Sequence, residues 1–275
     1  MSYVNVQERK LPFVVRYIGD VLAYRHLLWN LVGSDLRARF RRTHLGILWA
    51  LIQPLGFATV IALVWGGLHG AKPYWDTALY VFSGLVTYEM FTTTVIGGQD
   101  GLIRSGGYLQ QARIPFLIFQ MRVVLTGSVV YAIAILGVLV FALCIGAFPM
   151  PGPHLALIPV FFLFYLAFLF PISILMSLVG CYYRDMKHIS GLAAQALLLV
   201  SPIFMPRETL DSPNLHFMQF VDPIVPLLDM FRAPTLYGRF WSTQDVVVVG
   251  IWTAGLWVAA ISASIAVGRR PVFAF

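Results

Sequence analysis

Charged side chains are scarce in this sequence. Asp, Glu, Lys and Arg make up 11% of its 275 residues, whereas 59% of the residues are hydrophobic. An average soluble domain has about a quarter of its residues charged, because polar groups must cover its surface. The composition therefore excludes an ordinary water-soluble domain and indicates an integral membrane protein.

Cysteine is also rare, and several catalytic motifs are missing. The two cysteines, Cys144 and Cys181, lie in or beside apolar stretches and far apart, so neither a disulfide framework nor a metal site is expected. The sequence has no GxxxxGKS/T phosphate loop, no HExxH, no paired CxxC and no GxSxG, and its six histidines are scattered singly. We expect a chain that is not an enzyme and hydrolyses no nucleotide unaided.

The balance of charge is basic, with 19 Lys and Arg against 12 Asp and Glu. The basic residues flank apolar runs instead of gathering on a soluble face, which argues against nucleic-acid binding. Residues 1–45 contain no apolar core of a signal peptide. We therefore expect no cleavable signal and a start of the chain on the cytoplasmic side.

Long apolar runs dominate the rest of the chain. A bilayer core needs roughly 20 helical residues, and six segments predict transmembrane helices. The fifth is short and ends in SPIFMP, where Pro202 and Pro206 are expected to break the helix near the far surface. The predicted spans are 48–68, 78–98, 116–146, 155–182, 189–205 and 246–267.

The basic residues orient these spans. Fifteen of the 19 lie on one side: before the first span, between the second and third, between the fourth and fifth, after the sixth, or, for Arg122, at the start of the third span. By the positive-inside rule both termini are cytoplasmic, so the sequence predicts one all-α transmembrane domain over 1–275. The basic residues left outside are Lys72, Arg207, Arg232 and Arg239.

An arginine-dense stretch runs straight into the first span as DLRARFRRTHLGILWALIQP over 35–54. An apolar residue at every fourth position predicts an amphipathic helix over 24–45, lying in the headgroup layer. Its arginines can bind anionic lipid on the cytoplasmic side, and anchoring of the topology alone explains them equally well. The apolar stripe is Leu28, Val32, Leu36 and Phe40, and the arginines are Arg37, Arg39, Arg41 and Arg42.

Two connections are candidates for function. The inner loop over 99–115 carries Asp100, Arg104 and Arg113 around a Gly106-Gly107 pair, and suits a short helix that touches a soluble partner. A plain solvated loop is the alternative. The outer segment over 207–244 is too long for a tight turn and too apolar for disorder, which predicts short helices re-entering the outer leaflet.

Glu89 is an isolated carboxylate in the second predicted span. A charge in the hydrocarbon layer costs about 2.5–3.5 kcal/mol on insertion scales unless it is paired or hydrated. Pairing with a basic group such as Arg122 at the foot of the next span and exposure to a transport cavity are both open interpretations. A proton-coupled carrier would need a relay of such groups.

Aromatic residues are abundant, with 21 Phe, 12 Tyr and 7 Trp. Rings along a path can stack on sugar faces or lipid tails, although simple packing and interfacial placement are the usual roles. The better candidates lie in the first two spans: Phe57, Trp65, Tyr88 and Phe91.

The chain resembles the membrane subunits of type-2 ABC exporters of polysaccharide, the Wzm-like permeases for O-antigen, capsule and teichoic acid. Asp222 stands where an asparagine is commoner in that family, and Arg113-Ile114-Pro115 replaces a bulkier basic, aromatic and proline run. Four segments carry the likeness: 35–54, GLIRSGGYLQQARIPF at 101–116, YYRDMKHISGLAAQALLLVSPIFMP at 182–206, and DPIVPLLDMFRAPTLYG at 222–238.

The resemblance implies two copies of this chain forming a pore in the bacterial inner membrane, with two copies of a separate ATPase subunit that carries the ATP and Mg²⁺. It implies coupling contacts at Asp100, Arg104 and Arg113. It also implies that the four arginines of the interface helix bind either anionic lipid or the pyrophosphate of a lipid-linked polysaccharide. No cofactor is implied for this chain itself.

Three rival functions are weighed against polysaccharide export. A drug or small-lipid exporter permease of the same superfamily shares the framework. A secondary carrier would show inverted repeats or helices broken at mid-membrane, and a membrane glycosyltransferase would carry an acidic metal motif in a cytoplasmic loop. Neither of the latter signatures is visible in the sequence.

Overall fold

The computed structural model describes residues 23–41, 43–69, 74–103, 105, 114–115, 117–149, 152–183, 185–212 and 215–267, without the side chains of 65–69, 102–103 and 267. All regular elements in these ranges are helical. Three 3₁₀ helices, Gly46–Leu48, Pro153–Ala156 and Arg207–Asp211, accompany the α-helices. The α-helices are α1 Arg25–Phe40, α2 Trp49–His69, α3 Tyr74–Ile103, α4 Leu117–Cys144, α5 Leu157–Tyr182, α6 Met186–Val200, α7 Met218–Val221, α8 Ile224–Thr235 and α9 Thr243–Val267.

Among the described residues, five helical segments are long and apolar enough to cross a membrane, which confirms a multi-pass membrane protein. Each corresponds to one of the predicted spans, because an apolar helix satisfies every backbone donor and acceptor within itself. The segments are Gly46–Val64, Tyr74–Gly101, Leu117–Cys144, Pro153–Tyr182 and Thr243–Ala266.

The fifth predicted span is shorter than expected. Its helix, α6, has 15 residues and ends at Val200 instead of residue 205. Ser201 is extended, with φ −69° and ψ 149°, because a residue before proline is forced out of the helical region and Pro202 follows it. A 15-residue helix is about 22 Å long, less than the roughly 30 Å of a bilayer core.

The helix α3 is the centre of the bundle and packs against α2, α4, α5, α6 and α8. Two polar contacts lie on its buried faces: the Tyr165 hydroxyl donates to the Thr87 carbonyl at 2.7 Å, and the Thr87 and Tyr131 hydroxyls lie 3.2 Å apart. The surrounding core is aromatic, with Phe161 stacked on Tyr165 and Phe231 close by.

Small residues let α3 and α5 approach closely. A Cβ at Gly180 would lie 2.7 Å from the carbonyl oxygen of Gln99, and a Cβ at Gly98 would lie 3.2 Å from the backbone of Ser173. Such contacts are typical of membrane helices, whose association depends on backbone packing because lipid supplies no hydrophobic drive. The two helices therefore cross closely near their C-terminal ends.

The chain from Lys187 to Met205 runs antiparallel to α3. Lys187 contacts Asp100 near the end of α3, and the Tyr80 hydroxyl near its start donates to the Pro202 and Met205 carbonyls at 3.1 and 3.0 Å. Tyr80 and Asp100 are separated by 20 residues, about 30 Å of helix. The helix α6 and the non-helical residues after it thus cover most of the length of α3.

The predicted short helices within 207–244 are present as the 3₁₀ helix Arg207–Asp211, α7 and α8. All twelve residues of α8 are buried, against α3, α5 and α9. By contrast, α2 and α9 are largely exposed, with apolar side chains such as Val60, Leu63 and Ile251 on their surfaces. Those faces need lipid or another polypeptide to cover them.

Candidate functional site

The predicted interface helix forms as α1, but its apolar stripe packs on protein. Leu28 and Val32 are 4% and 2% exposed and belong to one buried cluster with Ile118 and Phe119 of α4. The amphipathic pattern did not predict this contact of Leu28 and Val32 with α4. Leu31, which lies outside the four-residue repeat, is buried in the same cluster.

The four predicted lipid-binding arginines separate into different environments. Arg37 and Arg41 are exposed, as expected for side chains that meet lipid headgroups. Arg39 instead lies with its Nη2 3.8 Å from Glu89 Oε1, and both side chains are about half exposed. Arg42 lies outside the described residues.

Glu89 therefore pairs with Arg39 and not with Arg122. Arg122 uses its Nε and Nη2 to bind both carboxylate oxygens of Asp35 on α1. Arg39 and Glu89 line a small, open cleft, whose other walls are side chains of α2, α3 and α4 such as Ala50. The carboxylate is thus paired, with a different arginine from the one expected, and exposure to a transport cavity stays a prediction.

The predicted coupling loop is described only in part. Asp100 accepts a hydrogen bond from Lys187 Nζ at 2.8 Å, and its neighbour Gln99 donates through Nε2 to Ser190 Oγ at 2.7 Å. These bonds tie the inner end of α3 to the start of α6. Arg104 and Arg113 lie outside the described residues.

The predicted path residues do not share one surface of the chain. Phe57 is 48% exposed on α2, with its ring 6.3 Å from that of Phe204. Tyr88 is buried, its hydroxyl donating to the Ala194 carbonyl of α6, and its ring lies 6.0 Å from Phe91. The side chain of Trp65 lies outside the described residues.

The outer segment holds an ion-pair cluster that the sequence did not predict. Arg207 binds Asp245 through two hydrogen bonds of 3.0 and 2.8 Å and lies 3.0 Å from Asp229. Arg239 Nη2 donates to both carboxylate oxygens of Asp229, at 3.0 and 2.9 Å. Burial alone would lower the pKa of Arg207, but its hydrogen bonds with Asp245 and the charges of Asp245 and Asp229 outweigh burial and raise it.

Arg232 on α8 is 2% exposed and bonded mainly to backbone carbonyls. It donates from Nη1 to Pro202 at 2.8 Å, from Nη2 to Tyr80 at 3.1 Å, and from Nε to Ser83 Oγ at 3.2 Å. Its guanidinium lies 3.6 Å from the centre of the Tyr80 ring. Burial lowers the pKa of Arg232. The residue thereby ties the helix break at Pro202 to α3 and α8.

Asp222 is a second buried charged residue near this break. The Ser201 hydroxyl donates to its carboxylate at 2.6 Å, and the backbone N–H of Ile224 donates to it at 2.9 Å. Burial raises the pKa of Asp222. For these buried charged residues, one signal was visible in the sequence, which was several charges within an otherwise apolar outer segment. Their partners lie on other helices, and such pairs leave no local pattern in the sequence.

Cys144 and Cys181 are both free, which agrees with the expectation of no disulfide. Over the part of the chain that is described, no group of three or more His, Cys, Asp or Glu side chains is placed to hold a metal ion. The polar groups brought together are therefore ion pairs and helix contacts.

The chain is similar to a known protein family and to named proteins. The family model described as "ABC-2 type transporter" matches residues 26–236. The O-antigen export system permease protein RfbA of Myxococcus xanthus is 25% identical over 263 residues, covering 95% of this chain and 99% of the relative. A protein of the same name from Klebsiella pneumoniae is 20% identical over 231 residues, covering 82% and 86%. The chain belongs to the ABC-2 type transporter family, and the predicted resemblance to its polysaccharide-export permeases is confirmed.

Proposed function

We propose that the chain is the transmembrane permease subunit of an ATP-driven exporter that moves a lipid-linked polysaccharide of the O-antigen type across the bacterial inner membrane. One observation carries this proposal: a relative named as an O-antigen export permease aligns with 95% of this chain and with 99% of its own length. Energy comes from a separate ATPase subunit, present in two copies, which carries the ATP and Mg²⁺.

The proposed topology has six crossings with both termini in the cytoplasm. Five crossings are the long apolar helices. The sixth is α6 with the non-helical residues after it, which together follow α3 from Asp100 to Tyr80. Residues 207–244 then lie on the outer side as re-entrant helices, and the burial of α8 among α3, α5 and α9 supports this placement.

The proposed path lies between two copies of the chain, along α2 and α6. Both helices expose apolar faces, with Ile189, Leu192 and Leu199 on α6 between 55% and 71% exposed. The Phe57 and Phe204 rings connect the two faces. We assign Phe57, Trp65, Tyr88, Glu89 and Phe91 to the path. Tyr88 reaches it only if α6 moves away from α3, because α6 accepts its hydroxyl hydrogen bond.

Coupling to the ATPase is assigned to Asp100, Arg104 and Arg113. Asp100 is suited to this role because its bond to Lys187 links the inner loop directly to α6, so that a push on the loop reaches a helix of the proposed path. The arginines of α1 are assigned to anionic lipid or the carrier pyrophosphate: Arg37, Arg39, Arg41 and Arg42.

The proposal is tested by deletion and complementation in the bacterium that carries the chain. Deletion is expected to abolish surface polysaccharide while lipid-linked polymer accumulates inside, and the wild-type chain is expected to restore export. Normal surface polymer in the deletion strain would contradict the proposal and would leave export of a drug or a small lipid as the alternative.

A coupling variant gives a second test. The Arg104→Glu/Arg113→Glu chain should insert and assemble normally, because both positions lie outside the predicted spans, but its ATP hydrolysis should no longer drive export. Lys72→Glu reverses a charge on the predicted outer side and should export like the wild type. Wild-type surface polymer in the double variant would remove the coupling role from this loop.

A further inference from the structure

Two ion pairs connect α1 to the transmembrane bundle, and they lie one helical turn apart. Asp35 binds Arg122 of α4, and Arg39 binds Glu89 of α3. Residues four apart lie on the same face of a helix, so both pairs are on the face of α1 that meets the bundle. Neither partnership is visible in the sequence, because Asp35 and Arg122 are 87 residues apart.

The apolar contact of α1 with α4 lies beside these pairs. Leu28, Leu31 and Val32 are buried with Ile118 and Phe119, and Asp35 and Arg122 follow on each helix by about one turn. The two helices therefore run side by side in the same direction. Further along, Arg39 passes the edge of α4 and reaches α3.

The charges specify the register of this contact. A slip of α1 by one turn in one direction would bring Arg39 opposite Arg122, and a slip in the other direction would bring Asp35 opposite Glu89. Each slip replaces an attraction by a repulsion between like charges. The alternation of signs along α1 thus favours one position of α1 on the bundle.

The two pairs differ in strength. In the first, both nitrogens of one edge of the Arg122 guanidinium meet both oxygens of Asp35, and the side chains are 18% and 31% exposed. Two-pronged pairs of this kind are the stronger and geometrically more specific type. In the second, the closest atoms are 3.8 Å apart and the side chains of Arg39 and Glu89 are 40% and 44% exposed, which makes it a weak contact.

We infer that α1 transmits the movement of the ATPase to the spans through these two pairs, with Asp35–Arg122 closed throughout the cycle and Arg39–Glu89 broken and remade in it. This inference rests on the proposed function. Glu89 is the only charged residue of α3 between Asp76 and Asp100. It is therefore the one charged contact through which α1 can pull on the middle of this central helix.

Charge reversal tests the pairs in the intact complex with its ATPase. Asp35→Arg or Arg122→Asp alone should lower export at least tenfold while the ATPase still co-purifies and hydrolyses ATP. The swapped chain, Asp35→Arg/Arg122→Asp, should return to within about threefold of wild type. The same pattern is expected for Arg39→Glu, Glu89→Arg and their combination. Ser34→Arg, exposed on the same helix, is the control for added charge and should export normally.

Reversible crosslinking separates the closed pair from the mobile one. In a chain whose native Cys144 and Cys181 are replaced by serine, cysteines are placed at 35 and 122, or at 39 and 89, and joined with a cleavable bis-methanethiosulfonate. A crosslink at 35 and 122 should raise export above the level seen after cleavage by reductant. A crosslink at 39 and 89 should stop export until reductant cleaves it.

Several results would overturn the inference. Single reversals that export like wild type, or swapped chains as inactive as the single variants, would leave the two pairs with no role in transmission. Unimpaired export with 39 and 89 crosslinked would show that this contact need not open. If the wild-type chain itself exports no polysaccharide, the proposed function fails first and this inference fails with it.

Discussion

Replacing Arg232 by methionine is expected to destabilise the outer half of the protein strongly. Methionine fills a similar volume but offers no hydrogen bond, so the substitution leaves the Pro202 carbonyl and the Ser83 hydroxyl without the guanidinium. It also removes the cation that lies on the Tyr80 ring at 3.6 Å. Among the described residues, the Tyr80 hydroxyl would then be the hydrogen-bond donor that remains between α3 and the helix break after α6.

The magnitude follows from the opposing effects at this residue. Hydrogen bonds from a charged donor contribute about 1.5–3 kcal/mol each, and Arg232 makes three of 3.2 Å or less. A desolvated cation on an aromatic ring contributes about 2 kcal/mol. Methionine removes the desolvation penalty of a buried cation, which is several kcal/mol, and so offsets part of the loss. We expect a net loss of about 3 kcal/mol.

Unfolding in mixed micelles by titration with SDS measures this loss. Tryptophan fluorescence is a suitable signal because Trp241 Nε1 donates to the carbonyl of Met230 at 2.8 Å, and Met230 lies two residues before Arg232 on α8. Arg239→Met is the matched control. Its side chain is 51% exposed and its partner Asp229 keeps Arg207, so a loss of about 0–1 kcal/mol is expected. Equal stability of the two variants would refute the reasoning.

Two further predictions concern stability in detergent. Gly180→Val should lower the free energy of unfolding by about 1–3 kcal/mol, because its Cβ would lie 2.7 Å from the Gln99 carbonyl and force α3 and α5 apart. The control is Gly191→Val, which has no atom within 4 Å of its Cβ and should leave the thermal unfolding of the protein nearly unchanged. Equal melting temperatures of the two variants would contradict the prediction. Because burial raises the pKa of Asp222, the folded chain holds that proton more tightly than the unfolded chain, so its contribution to stability falls as pH rises from the ordinary carboxyl pKa through the raised one. Asp222→Asn should therefore be at least as stable as wild type at neutral pH, and its free energy of unfolding should fall less than that of wild type between acid and neutral pH. A steeper fall in the variant would contradict the prediction.

The membrane spans could be predicted from the sequence because their cause is local. An apolar run of sufficient length becomes a helix in lipid whatever surrounds it, since each backbone group must find its partner inside the run. The end of α6 is equally local, as Pro202 acts on Ser201 directly. The prediction extended that span to residue 205 because the residues after the break are apolar, and hydropathy does not distinguish a helix from an extended apolar segment.

The order of hydrophobic and charged residues by itself determined that this protein is a multi-pass, all-helical membrane protein, since those properties are set by windows of about 20 residues. The type-2 ABC exporter family was predicted separately, from the resemblance of four segments to that family. Only the tertiary structure decided which charges meet. Arg232 reaches Ser83 across 149 residues, and Arg39 rather than Arg122 is the partner of Glu89. Pairing between helices depends on how they pack and rotate, which is a property of the assembled bundle and of no single segment.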